Sequence, residues 1–279
     1  MKLQAVAKLA DLRATLDGWR ERGFRIGLVP TMGNLHAGHM ALVEEARKHC
    51  DRVVTSIFVN PTQFGPGEDF ESYPRTRQAD LEKLESVGCE LAWLPDVDQM
   101  YPLPESFMVQ PPASLTDTLC GQYRPGHFSG VATVVLRLFN QVQPQLAVFG
   151  EKDFQQLLVI QRMANDLALP IQIKGLATLR EADGLAMSSR NQYLSRQERA
   201  QAPELARVLD ELAVGLSNGK AWGDLQKKAW QRLEKAGFQP QYLEWRSAED
   251  LGRPNPDGPQ RLLAAAQLGK ARLIDNKAV

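Results

Sequence analysis

Between Arg25 and Cys50 the chain passes from a short apolar run, Ile26 to Val29, through Pro30 and a loop containing Gly33 and Gly38 into residues at helical spacing: Met40, Leu42, Val43, Ala46 and Arg47. A buried apolar run, glycine punctuation and then a helical period read as strand, tight loop, helix. The unit is also a phosphate site in outline. Unpaired N–H groups and the positive dipole end of the helix start face the loop, and glycine lets backbone come close to a ligand. His36 and His39 stand in this loop, two of only four histidines in the chain. Three residues apart, they share one face near the helix start. A metal pair fits poorly: a helical zinc site spaces its histidines four apart, and no Asp, Glu or Cys in the window supplies a third ligand. Anion contact and plain capping or core roles stay open.

The pattern recurs downstream. Val53 to Val59 is a second continuous apolar run with β-branched residues, as expected of a central parallel strand covered on both faces. Asn60 and Gln63 follow its C-terminal end, where open α/β sheets bind ligands. A plain Asn-Pro turn explains Asn60 but not Gln63. Residues 65–75 are too long and too rich in breakers for a hairpin and read as a surface excursion or lid. Thr76 to Val87 predicts an amphipathic helix and Glu90 to Leu94 a short strand. Pro95 to Pro112 is proline-rich, with one edge strand expected at Phe107 to Val109.

Val131 to Gln143 is apolar at nearly every position and predicts a buried helix capped near Ser129. Arg124 and His127 precede it, as anion contacts or merely solvated. A strand at Gln145 to Phe149 then ends in Gly150-Glu151-Lys152-Asp153 and a helix from Phe154 to Leu167. Here a strand again meets glycine at a helix start, with a lysine for phosphate charge and an aspartate for a ribose hydroxyl or an N-cap. After a fifth strand, Ile171 to Leu176, the segment Met187-Ser188-Ser189-Arg190-Asn191 gathers hydroxyls, a guanidinium and amides suited to terminal phosphates. Read alone it is equally a helix cap or solvated loop.

At 279 residues the chain is long enough for one large α/β domain with a smaller partner. The pattern changes near residue 178, so 1–177 and 178–279 are the expected domains. The second is α+β, with helices at about 197–216 and 221–236 and short strands near 241–245, 261–266 and 272–275. Leu3 to Arg22 predicts a single packing helix. Lysine plus arginine equals aspartate plus glutamate at 33 each, so no global field attracts nucleic acid or an anionic membrane. No long apolar span or cleavable leader is apparent, and the three cysteines form no Cys-x-x-Cys pair. These observations predict a soluble cytosolic protein.

Pro30 to His39 resembles the His-x-Gly-His signature of the nucleotidyltransferase superfamily, which includes class I aminoacyl-tRNA synthetases. Met187-Ser188-Ser189-Arg190 resembles its Lys-Met-Ser-Lys-Ser-type motif, with Arg190 in place of the final lysine. With Phe58 to Phe64, Gly150 to Leu157 and Arg180 to Gly184, the match is close to the pantothenate synthetase (pantoate–β-alanine ligase) family over nearly the whole chain. That resemblance implies a Rossmann-like domain, a smaller C-terminal α+β lid, and an ATP- and Mg2+-dependent condensation of pantoate with β-alanine through an acyl-adenylate. It further implies that Met32, Gly33, Asn34, Leu35, His36, Ala37, Gly38 and His39 line the ATP. His36 and His39 would lie at the phosphates, with His39 the proton donor. Gly150, Glu151, Lys152 and Asp153 would take ribose and phosphates, with Lys152 on the phosphates. Leu179 would meet adenine through its backbone, and Met187, Ser188, Ser189 and Arg190 would close over the triphosphate. Gln63 and Gln156 would hold pantoate, Gln63 also reaching β-alanine, with Asn60 a further substrate contact. Nearby triphosphate charge favours the protonated form of a histidine, with the protonation states of His36 and His39 left open; Asp80 is a minor magnesium candidate, and the family's homodimer forms through the larger domain. A tRNA-charging enzyme shares both motifs but needs a surface to grip tRNA; a nucleotide-binding regulator does not need Lys152, both histidines and Arg190 together.

Overall fold

The computed structural model describes residues 2–103 and 105–279. Its larger part is a six-stranded parallel sheet in the order β1-β4-β3-β2-β5-β6. The strands are β1 (Gln4–Val6), β2 (Ile26–Thr31), β3 (Arg52–Ile57), β4 (Leu91–Trp93), β5 (Leu146–Gly150) and β6 (Gln172–Leu176). Helices α1 (Leu9–Glu21), α2 (Ala37–Arg47) and α3 (Arg77–Ser86) follow in chain order. Three one-turn helices, α4 (Val97–Met100), α5 (Ala113–Thr116) and α6 (Cys120–Tyr123), then lead to α7 (His127–Val142) and α8 (Phe154–Asp166). β2, β3 and β5 are buried on both faces because helices cover both sides, which is why they read as continuous apolar runs.

The direction of strand addition reverses at β2: β3 and β4 extend the sheet one way, β5 and β6 the other. Carboxyl ends on either side of such a point leave a crevice between diverging loops. The smaller part packs α9 (Arg196–Gln201), α10 (Glu204–Ser217) and α11 (Trp222–Lys235) with an antiparallel sheet β7-β8-β9. Its strands are Gln239–Ser247, Gln260–Leu268 and Ala271–Ala278, and its apolar core is centred on Leu209, Leu233, Leu243 and Leu262.

The structure departs from the sequence reading in four places. The opening helix is preceded by a strand, since Gln4 to Val6 pair with Leu91 to Trp93. The expected edge strand at Phe107 to Val109 does not form; the Val109 amide donates to the Thr133 hydroxyl at 2.8 Å instead of to a neighbouring strand. α7 begins at His127, after Gly126 at φ +79°, and Ser129 bonds Gln110 rather than capping the helix. The helix expected at 197–216 is two helices separated at Pro203, which lacks the N–H that an unbroken helix needs.

Candidate active site

The crevice at the switch point is a solvent-open cleft of about 1280 Å³. The carboxyl ends of β2, β5 and β6 form its floor and one face of α7 a wall, with the Met187 to Arg190 segment arriving from the start of the smaller part. Met32, His36, Gly38, His39, Asn60, Gln63, Gly150, Lys152, Asp153, Gln156, Leu179, Met187, Ser188, Ser189 and Arg190 all line it. The chain thus brings side chains from three segments, Met32 to His39, Gly150 to Gln156 and Met187 to Arg190, to one space.

The β2–α2 loop is shaped by its own side chains. The His36 ring accepts the Gly38 amide through Nδ1 at 3.1 Å, and His39 Nδ1 accepts the His36 amide at 3.2 Å, so the two histidines form a reciprocal cap on α2. The capping and ligand-facing readings therefore coexist in the same residues. Because each Nδ1 accepts, each neutral ring carries its proton on Nε2. The rings lie 4.0 Å apart between centroids. Burial, then Lys152 and Lys83, push His36 down to about 4. Burial, then His36 and Lys152, push His39 well below the ordinary histidine range. In the ligand-free site both rings are therefore neutral at pH 7, Nε2–H donors rather than cations.

Asp80 holds the loop from below. Its carboxylate is 1% exposed and accepts the amides of Asn34 at 2.9 Å and Leu35 at 2.8 Å and the Thr76 hydroxyl at 3.1 Å. Those bonds keep Asn34 in the left-handed region at φ +49°. With both oxygens engaged away from the cleft, Asp80 is a loop anchor and not a magnesium-facing carboxylate. Gly33 adopts φ +84°, which favours glycine, and a Cβ there would crowd Ile57 and Asp80 at 3.0 and 3.2 Å. Leu35 faces the core at 2% exposure, and Gly33, Asn34, Leu35 and Ala37 do not line the cleft.

The β5–α8 turn is held from the other side. The Asn276 amide donates to the carbonyls of Glu151 and Lys152 at 2.8 and 2.9 Å, and Arg261 pairs with Glu151 at 3.2 Å. Glu151, expected among the ribose and phosphate contacts, faces the small sheet instead. Lys152 remains toward the cleft, with Asp153 3.7 Å away. Arg190 forms a two-point pair with Asp69 at 2.8 and 3.1 Å and lies over the Tyr73 ring. The Ser189 hydroxyl bonds the Asn34 carbonyl at 3.1 Å, linking the two signature loops directly.

Asn60 is 1% exposed and saturated, accepting from Thr62 and Tyr101 and donating to Gln63 and the Gly130 carbonyl. It orients Gln63 rather than offering a free amide. His127 Nδ1 and Arg124 also hold the Gln63 carbonyl, at 2.8 and 3.3 Å. Arg124 is paired with Glu68 and burial pushes His127 down to about 4, so these two are struts rather than anion contacts. Sequence reasoning missed Asp69, the partner of Arg190, and the cleft-lining Tyr73 and Val131, Val134, Val135 and Leu138 wall. Only the wall left a signal, in the all-round apolarity of α7. Among the described residues no group of three or more His, Cys, Asp or Glu side chains converges as a metal cage would, and no helix is long and apolar enough to cross a membrane.

A parallel sheet of this order, with a His-x-Gly-His loop at the switch point and a Met-Ser-Ser-Arg loop closing on it, defines an α/β protein of the nucleotidyltransferase class. Within that class the match is specific: the pantoate-β-alanine ligase family model covers residues 4–278, and the chain belongs to that family. It is similar to the pantothenate synthetases of Xylella fastidiosa, 54% identical over 98% of this chain and 99% of the relative, and of Xanthomonas euvesicatoria, 53% identical with the same coverage. Among solved structures it superposes on pantothenate synthetase from Thermus thermophilus with TM-score 0.93, 45% identity and 99% coverage of both chains. It also resembles pantoate-β-alanine ligase from Francisella tularensis complexed with β-γ ATP and β-alanine, at TM-score 0.85, 31% identity and 99% and 97% coverage. The chain is accordingly an enzyme that joins pantoate to β-alanine.

Proposed function

We propose that the cleft binds ATP and pantoate side by side and activates the acid as its adenylate. A pantoate carboxylate oxygen attacks the α-phosphorus and pyrophosphate leaves. The amine of β-alanine then attacks the acyl carbon, and AMP leaves with the electrons of the broken C–O bond. A free carboxylate is a poor acyl donor, and AMP is a far better leaving group than oxide. Catalysis is therefore positioning and charge stabilisation, without a covalent enzyme intermediate. The observation that carries this reading is the convergence of His39, Lys152 and Arg190, from three distant segments, on one cleft.

In this reading Lys152 and Arg190 offset phosphate charge, and the Nε2–H groups of His36 and His39 donate to phosphate oxygens. Adenine lies by Leu179. Gln63 and Gln156 bind the polar end of pantoate, with Gln63 reaching β-alanine, and the α7 valines meet its apolar carbons. Residues 178–279 act as a lid domain on 1–177. Arg190 exchanges Asp69 for phosphate as the nucleotide enters, so the pair keeps the arginine extended until then. Mg2+ belongs with the triphosphate: the residues around the cleft do not fit a resident metal site, and substrate oxygens supply most of its ligands.

The exposed apolar residues Leu103, Phe107 and Met108, all in the larger part, support a homodimer through that part; a monomer in sedimentation would refute it. Three free cysteines and small polar substrates accord with the cytoplasm. The central test is exchange of labelled pyrophosphate into ATP. It should require pantoate and proceed without β-alanine, and the full reaction should yield AMP; an absolute need for β-alanine, or release of ADP, overturns the adenylate.

A further inference from the structure

The cleft does not end at Lys152 and Arg190. On their far side lies a second solvent-open cavity of about 1330 Å³ between the larger and smaller parts. The two spaces share Lys152, Asp153, Ser188 and Arg190 as a common wall. The opposite wall comes from β9 and the β8–β9 turn, which contribute Arg272 and Lys270.

Four carboxylates also border this cavity, and each has a cation of its own. Arg124 pairs with Glu68, Arg190 with Asp69 and Arg180 with Asp275, while Lys152 lies 3.7 Å from Asp153. Among the described residues, Lys270 and Arg272 form no salt bridge. Arg272 is only partly exposed, and its contacts include Gln241 Oε1 at 2.8 Å and Cys120 Sγ at 3.4 Å. A largely desolvated guanidinium without an anionic partner is costly to keep. Arg272 lines this cavity, whose wall of Lys152 and Arg190 is shared with the main cleft, and also a smaller one beside Cys120 and Tyr242.

One product of the reaction answers to that pattern. Pyrophosphate is a compact, multiply charged anion that departs while the acyl-adenylate still occupies the main cleft. It therefore needs a path that the adenylate does not block, starting at the cations that held the β- and γ-phosphates. We propose that the second cavity is the exit and holding site for pyrophosphate, with Arg272 and Lys270 receiving it from Lys152 and Arg190. This inference rests on the adenylate-forming reading above.

Exchange of labelled pyrophosphate into ATP, run with pantoate and without β-alanine, drives the same path in reverse. In Arg272→Gln and Lys270→Gln the pyrophosphate concentration giving half-maximal exchange should rise about tenfold, the loss expected of one charge-assisted contact. The KM values for pantoate and β-alanine should hold, and Arg272→Lys should recover most of the effect. Lys270 is exposed at a turn, so Lys270→Gln tests the path even if Arg272→Gln fails to fold. Absence of exchange in the unaltered enzyme refutes the adenylate reading itself. Normal exchange there, with unchanged pyrophosphate dependence in the folded variants, overturns only the exit path. A rise confined to the KM for β-alanine also overturns it, making the cavity that substrate's entrance.

Discussion

The β2–α2 and β5–α8 turns are built from the same parts, a buried parallel strand, a glycine and a helix start, yet they are stabilised differently. The first is shaped almost entirely from nearby: His36 and His39 cap their own helix, and Asp80 from α3 ties down the Asn34 and Leu35 amides. The second has no side-chain cap of its own and is held by Asn276 and Arg261 from the small sheet. One phosphate-facing loop is thus held mostly within the larger part, whereas the other has the carbonyls of Glu151 and Lys152 held by Asn276 of the small sheet. Two apparently equivalent loops differ in what their order depends on.

The largest effects should come from removing the groups both loops present. His39→Ala and Lys152→Ala should each lower turnover by about 100-fold or more, as loss of a preorganised donor or charge does, with the thermal midpoint little changed in Lys152→Ala and stability lowered by about 0.5–2 kcal/mol in His39→Ala, which loses its half of the α2 cap; near-normal turnover in either counts against the assigned roles. Next, Asp80→Asn should cost about 2–4 kcal/mol in urea unfolding, because one loop amide then faces an NH2 group in a buried place. It should also weaken ATP binding, since the loop loses its shape. Asn276→Ala should cost only about 1–2 kcal/mol while lowering kcat/KM for ATP by roughly tenfold at most. If Asn276→Ala left kinetics untouched, the dependence of the second loop on the small sheet would be disproved.

A further effect is in pH. His36 and His127 both titrate near 4 in the folded protein, below the ordinary 6.5 of histidine in the unfolded chain. Between those values the unfolded state binds more protons, so stability should rise with pH across roughly 4 to 6.5 and fall on acidification. Unfolding midpoints across that window, compared with those of His36→Asn, measure the share belonging to the first loop. Nitrogen NMR of the free enzyme at pH 7 should find His36 and His39 neutral with the proton on Nε2. A protonated ring there would break the reciprocal cap and overturn the description of that loop.

What was legible in the sequence follows the same division. Strand, glycine and helix order could be read for both turns, since apolar runs and helical periods are local. β1 could not, because Leu3, Val6, Leu9, Leu12 and Leu16 continue one helical period, and only pairing with β4 makes Gln4 to Val6 a strand. Pro203 did mark a helix break that a purely periodic reading overrides. Asn60, Glu151 and Asp80 have side chains suited to ligands, and the folded chain occupies all three with its own backbone and side-chain groups. Asp69 carried no signal, as nothing in a loop sequence names the distant arginine it meets.

By itself the sequence determined that this chain would build a parallel α/β sheet with glycine loops at two strand ends, since burial on both faces demands apolar residues and φ > 0 demands glycine at Gly33, though not at Gly150, whose φ is −78°. Only the tertiary structure decided which polar groups stay free for a substrate. A buried hydrogen-bonding group must find a partner, and whether that partner is the protein or the ligand depends on contacts between residues a hundred or more positions apart, such as Lys152 with Asn276 and Arg190 with Asp69.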